Sequence, residues 1–397
     1  MVYENGPHPI AHFNNPLLYQ NVPTSGQSGR APISGLGWGC LGLGGGSCTT
    51  TLVLLRGLIF KRIPAYFVQE DLSLFACDIV RPLYTTQTDS LTVRTLVIIL
   101  LALIAATCAA QKRFFKGNTH THSYPQSGDA AKTWTPEMVV ASYKSAGYDF
   151  LVFTDHVSYW NADTLSSPDF VVFNGEEAGL SGGHRGHFTA MRIQSRISGA
   201  GKTHQQLINE IVDQGGLAFL NHPRWSVIPI SAQQVISDMK QNLQHLEVFN
   251  WNTDAPTTFD TSLWDSVLTS GRQMFSVACD DAHKESHLGK GWVCVYASSK
   301  DPDTLFNAIR NGDFYASNGI VLDSIAYCPD RIYVRSSNSD SIRFVGSGGK
   351  ILATVEGNEG TYVIVGNEGY VRAQITNRQN QTAWIQPLMI VQSTQKE

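Results

Sequence analysis

Between residues 116 and 283 a series of short apolar, β-rich runs each ends in a histidine or a carboxylate, and this pattern restricts the chain more than any other feature. The first extended segment carries His120 and His122, and alternate residues of a strand point the same way, so the two imidazoles can chelate one ion. Asp129 follows in the loop beyond them. The run at 149–153 leads into Thr154, Asp155 and His156, and the run at 170–173 into Asn174, Gly175, Glu176 and Glu177. His187 stands directly before a strand-like stretch at 188–193. The run at 216–220 ends in Asn221, His222, Pro223 and Arg224, and the run at 273–278 in Cys279, Asp280, Asp281, Ala282 and His283. Taken singly, each histidine reads as exposed or satisfied in the core. Taken in order, so many ionisable groups at the ends of apolar strands would be costly to bury without a cation, and shared metal ligation is the simplest reading.

Helical patterns lie between the runs, at 136–146 opening on Pro136, at 203–214 closed by Gly215 and Gly216, and at 232–241. Such alternation is the rhythm of an α/β fold built as a βα barrel, whose site forms in the loops at the C-terminal ends of the strands. After a further helix at 302–311 the pattern changes. Short alternating strands at 341–345, 351–355, 362–365 and 370–375, separated by Asn, Ser, Gly and Asp clusters, predict a small all-β, sandwich-like domain over 323–397. A chain of 397 residues, 42% of them hydrophobic, is ample for this tail and a barrel over 111–322. Residues 314–319 are expected to connect the two, and Trp384 to fill the core of the tail.

The ordered set HxH, D, TDH, GxE, H, NHP and DxH resembles the polymerase and histidinol phosphatase (PHP) family over residues 116–314, and the layout is similar to a secreted branch with a β-rich tail. The resemblance implies a distorted (β/α)7 barrel holding two to three divalent metals, manganese, zinc or iron. On the matching positions it implies that His120, His122, Glu177 and Asp281 hold a first ion. Glu177 then bridges to a second ion held also by His187 and His222, and Asp129, His156 and His283 hold a third. Glu176 is an alternative to Glu177, and His184 to His187. The implied chemistry is phosphoester hydrolysis by metal-activated water, with Glu177 central to it. Arg224, with a planar fork of donors, is expected to grip a substrate oxygen, and Lys284 is a second such group. Asp155 is expected either to accept a hydrogen bond from a ligating imidazole or to act as a turn acid. Two further readings share these residues: hydrolysis of a carbamate or carboxylic ester, as in some relatives, and a non-catalytic metal- or ligand-binding role. His204, His245 and His287 read as structural or solvated.

A net charge of -4 gives no basic field for binding a nucleic-acid backbone, so the expected partner is a small-molecule or phosphoester substrate. The apolar run at 96–106, with Arg94 before it and small residues after it, fits a secretory signal over 90–110 and predicts an exported protein, with an uncleaved membrane anchor as the alternative. Residues 1–89, Gly-rich in part and without sustained period, read as a disordered or non-native extension ahead of a start near Leu91 or Val93. Beyond them only Cys279, Cys294 and Cys328 remain, an odd set that argues against a disulfide framework. The sequence sets no oligomeric state.

Overall fold

The structure is a computed structural model that describes residues 112–391, apart from 157, 181–185, 226 and 254–260, together with residues 10–12 and 19–20. The expectations for 90–110, for the rest of 1–89 and for His184 lie outside the described residues. No helix among the described residues is long and apolar enough to cross a membrane.

The fold is mixed α/β. Strands β1 (Arg113–Asn118), β2 (Phe150–Val152) and β3 (Val171–Phe173) pair in parallel. β3 continues through Asn174 into β4 (Gly175–Gly179), the first strand of a second sheet. That sheet runs on through β5 (His187–Met191), β6 (Leu217–Asn221), β7 (Leu243–Asn250) and β8 (Phe275–Cys279). A parallel bridge from Thr121 to Ala282 joins the chain just past β1 to the chain just past β8, so the pairings return to their start. The strand passes from one sheet to the other at Gly175, where a Cβ would lie 2.8 Å from the carbonyl oxygens of both Phe153 and Ala190. Only glycine allows those backbones to approach so closely.

The expected βα alternation fails in two places: a 3-10 turn at Ala162–Leu165, and no α-helix, links β2 to β3, and the chain reverses at β5. β5 is antiparallel to β4 and β6. Only residues 180–186 separate β4 from β5, too few for the dozen or more that a parallel crossover needs, so the chain must turn back as a hairpin. Elsewhere helices return the chain. α1 (Pro136–Ser145) starts where Thr135 accepts from Met138 N, with Pro136 at the first turn. α2 (His204–Asp213) and α3 (Ala232–Asp238) each open on a reciprocal capping box, Thr203 with Gln206 and Ser231 with Gln234. α4 (Ser262–Thr269) precedes β8, and α5 (Pro302–Asn311) follows β9 (Trp292–Ala297).

Inside the strand circuit, Phe115, Phe150, Phe173, Phe219, Phe275 and Val277 form an apolar plug. His245 sits among Phe219, Phe275 and Phe314 with Nε2 3.0 Å from Ile309 O, which makes it a core histidine, as its sequence context implies. With the lower interior filled, the polar residues occupy the strands' C-terminal ends.

From β9 the large sheet leaves the circuit through β10 (Phe314–Ser317). The tail adds β11 (Ser324–Cys328), β12 (Arg331–Arg335), β13 (Ser341–Gly346), β14 (Lys350–Glu356), β15 (Glu359–Val363), β16 (Tyr370–Thr376), β17 (Thr382–Ile385) and β18 (Leu388–Val391). β17, β16, β13 and β14 extend the large sheet, while β11, β12 and β15 form a separate one with Ile10–His12 alongside. Tyr19–Gln20 pairs with β18. The two faces bury Ile325, Ile332 and Val334 against Ile342, Phe344 and Ile375. The strand expected at 362–365 lies instead at Glu359–Val363, because the chain turns at Gly357 and Asn358 out of β14 in the large sheet and starts at once on β15, which pairs with β12 in the other. Trp384 is fully buried, but in the core that α2, α3 and α4 build on the barrel strands rather than in the tail's own core.

Candidate metal centre

His120 and His122 follow β1, where Asn118 Oδ1 accepts from His120 N at 2.9 Å and from Thr121 Oγ1 at 3.2 Å and so shapes the turn. Their Nε2 atoms lie 3.1 Å apart. Asp281 Oδ1, beyond β8, is 3.3 Å from the first and 3.1 Å from the second. Glu177 Oε2, on β4, is 3.4 Å and 3.5 Å from the same two nitrogens. Donors arranged tetrahedrally about an ion at 2.0–2.2 Å stand about 3.3–3.6 Å apart, and these separations of 3.1–3.5 Å lie close to that spacing. Within this set Asp281 Oδ1 is buried and has no hydrogen-bond partner. The residues present fit a divalent cation.

Glu177 Oε1 looks the other way, 3.0 Å from His187 Nδ1 and 2.9 Å from His222 Nε2, and accepts from Asn221 Nδ2 at 3.0 Å. Its two oxygens therefore face two separate groups of imidazoles. A third group lies nearer the surface, where Asp129 Oδ2 is 3.2 Å from His156 Nε2 and 3.3 Å from His283 Nε2. The His122 and His283 rings stack at 4.1 Å, and His156 Nδ1 also comes within 3.2 Å of Glu177 Oε2. Seven of the nine sequence-derived candidates line one cavity of about 170 Å³, whose wall also includes Trp225, Asn252 and Thr253, and the fully buried His120 and His122 adjoin its Glu177 and Asp281.

Two of these residues have left-handed backbones, His222 with φ 26° and Asp281 with φ 48°. Such conformations in residues other than glycine persist only where surroundings enforce them, and they gather at functional sites.

The electrostatics follow from burial against mutual charge. Burial alone would pull His120 down, but Asp281, Glu177 and Glu247 hold it well above the usual imidazole value. Burial pulls His122 down to about 4, with the neighbouring His283 acting in the same direction. Burial would raise Glu177, yet His120 and His187 hold it well below the carboxylate range. The hydrogen bonds from His156 and His283 likewise depress Asp129. The carboxylates of this centre call for positive charge.

Of the two roles expected of Asp155 it takes that of a turn acid, accepting from Ser123 N at 2.6 Å and from Trp160 Nε1 at 2.8 Å and from no ligating imidazole. Other expectations need correction. Glu176 points to the opposite face of β4, where it accepts from Ile197 N at 2.9 Å, because neighbouring residues of a strand face opposite ways. Arg224 is exposed and does not line the cavity, which its neighbour Trp225 does. Lys284 is exposed too and lies outside the cavity wall.

The sequence reading missed the residues that hold the ligands. Ser127 Oγ is 3.0 Å from His122 Nδ1 and accepts from His156 N at 2.9 Å. Glu247, on β7, lies 2.7 Å from His120 Nδ1. A signal existed, since His245 and Glu247 are ionisable residues at alternate positions of a strand, flanked by the apolar Leu246, Val248 and Phe249.

No family model matches the chain, and no curated protein matches it either. Among solved structures it is similar to a two-domain protein from Bacteroides vulgatus containing a predicted PHP-like metal-dependent phosphoesterase, with 15% identity over 68% of this chain and 94% of that one and a TM-score of 0.41. It is also similar to PsfC from Pseudomonas syringae, with 13% identity over 49% of this chain and 87% of that one and a TM-score of 0.37. A third is the lesion-specific endonuclease PfuEndoQ from Pyrococcus furiosus, with 13% identity over 50% of this chain and 56% of that one and a TM-score of 0.35. What this chain binds is argued from its own side chains.

Proposed function

We propose that the chain is a metal-dependent hydrolase of the PHP type, a distorted (β/α)7 barrel with a sandwich-like tail, that cleaves phosphoesters. The cage of His120 Nε2, His122 Nε2, Glu177 Oε2 and Asp281 Oδ1 carries this reading, since these donors stand at coordination spacing and Asp281 Oδ1 is buried without a partner. His187 and His222, with the second oxygen of Glu177, would hold a second ion, and Asp129, His156 and His283 a third. Bound divalent manganese, zinc or iron would lower the pKa of a shared water to about 7 and neutralise charge on a phosphoryl oxygen.

The chain's own residues orient and enclose. Glu177 sets the spacing between the first two groups through its opposed oxygens. Trp225 supplies an apolar wall beside the rings of His187 and His222, and Asn252 and Thr253 give the rim its uncharged polar groups. A cavity of about 170 Å³ suits a phosphoryl group with a small substituent. Export through residues 96–106, behind a start near Leu91 or Val93, belongs to the same proposal, and N-terminal sequencing of the native protein tests that start: peptides from residues 1–81 would overturn it.

The decisive experiment combines elemental analysis of the purified protein with parallel assays of phosphomonoesters, phosphodiesters and aryl carbamates. Stoichiometric metal and turnover of a phosphoester are expected, with both lost in Glu177→Gln. Turnover of carbamates alone would move the chain to that class, and an unchanged Glu177→Gln rate would reject the site.

A further inference from the structure

Of the eight strands β1 to β8 in the circuit, β7 alone carries or leads into none of the nine candidate ligands. It carries Glu247, a fully buried acid with an apolar neighbour on either side. The two oxygens of Glu247 serve different partners. Oε1 lies 2.7 Å from His120 Nδ1 and accepts from Cys279 Sγ at 3.1 Å. Oε2 accepts from the backbone N–H of His222 at 2.6 Å and from Asn250 Nδ2 at 2.9 Å. The same Asn250 amide donates to Asp281 Oδ2 at 3.2 Å. One carboxylate therefore reaches the ring of His120, the main chain of His222 and, through Asn250, the carboxylate of Asp281.

We propose that Glu247 is a positioning residue that aims His120 and holds the backbone bend at His222, so that the ligands of the first ion and those of the second are set by one acid. The inference rests on the metal-centre reading above. A carboxylate on Nδ1 fixes the ring proton there, leaves the Nε2 lone pair facing Glu177, His122 and Asp281, and strengthens that lone pair as a donor to a cation. The contact to His222 N acts on geometry instead. His222 has φ 26°, a conformation that needs an external tie, and a 2.6 Å hydrogen bond at that residue supplies it. An acid present only to satisfy the core would not need partners drawn so heavily from the ligand set.

Glu247→Gln tests this with shape preserved. A glutamine offers one acceptor oxygen and one NH2, so in either orientation His120 Nδ1–H or His222 N–H meets another donor. Metal-free wild type, Glu247→Gln and Glu247→Asp are titrated with Zn2+ by calorimetry, and their Co2+ complexes are compared by visible absorption. The expected result is a loss of about 10–100-fold in Zn2+ affinity for Glu247→Gln. A changed Co2+ spectrum should accompany it, with partial recovery in Glu247→Asp, which keeps both acceptors. Zn2+ affinity within twofold of wild type, with an unchanged spectrum, overturns the proposal. If Glu247→Gln does not fold, Asn250→Ala takes its place: weaker binding with an altered spectrum supports the coupling, and wild-type values for both refute it. A wild type that takes up no metal would reject the metal-centre reading itself, and this inference with it.

Discussion

Arg372 on β16 and Asp265 on α4 make a two-pronged ion pair between the tail and the barrel, with Nε to Oδ1 and Nη2 to Oδ2 both at 2.7 Å. Both residues are buried, the guanidinium lies over the Trp264 ring at 4.7 Å, and Tyr370 OH donates to Asp265 Oδ1 at 2.7 Å. Arg372→Met keeps an apolar stem against Trp264 and removes the charge. It leaves the buried Asp265 with one hydroxyl donor, from Tyr370, and stranding a buried charge in this way costs about 3–5 kcal/mol. An exposed pair would lose only about 0–1 kcal/mol. The double variant Asp265→Asn with Arg372→Met should recover part of the loss, because no unpaired charge remains. A double-mutant cycle should then give an interaction energy of about 2 kcal/mol or more. Urea unfolding followed by tryptophan fluorescence is the assay, since Trp264 and Trp384 lie in the same core. A cost below about 1 kcal/mol for Arg372→Met, or strict additivity of the two substitutions, would show that the pair behaves as a surface contact and refute the reasoning.

The core histidine His245 makes stability depend on pH. Burial depresses its pKa from 6.5 to about 4, so between those values the unfolded chain binds a proton that the folded chain refuses. Stability should therefore fall as pH drops through this window, by about 3 kcal/mol in all from this residue. Unfolding free energies of wild type and His245→Gln at pH 7 and pH 5 test it: identical losses in the two proteins would exclude His245 as the source. The cysteines give a chemical check. Burial pushes Cys294 up to about 11 and Cys279 well above the ordinary thiol value, whereas Cys328 is half-buried. Of these three, iodoacetamide at pH 8 should modify only Cys328 in the folded protein, and peptide mass spectrometry that found alkylated Cys279 would contradict the burial.

His120, His122, His156, Glu177, His222 and Asp281 are legible in the sequence because residue type and position coincide at each. An apolar run announces the strand, and a histidine or acid just beyond it has chemistry of its own. Asp155 shows where adjacency misleads. It stands beside His156 in the chain, yet it serves Ser123 and Trp160 while His156 faces Asp129 and Glu177. Glu247 is hidden for a different reason. Its residue type is visible, but its role depends on partners 127 and 25 residues away, His120 and His222. The connection at 314–319 is legible, but its partner strand is hidden in the same way, since the pairing of Ala316 with Trp384 is long-range. Strand order, which places β7 between β6 and β8, decides that its acid meets the ligands of both neighbours. That order is a property of the closed circuit as a whole, and no local pattern specifies it. Ligands at strand ends can therefore be read from a sequence one at a time, whereas the acid that fixes their geometry becomes visible only once the circuit is closed.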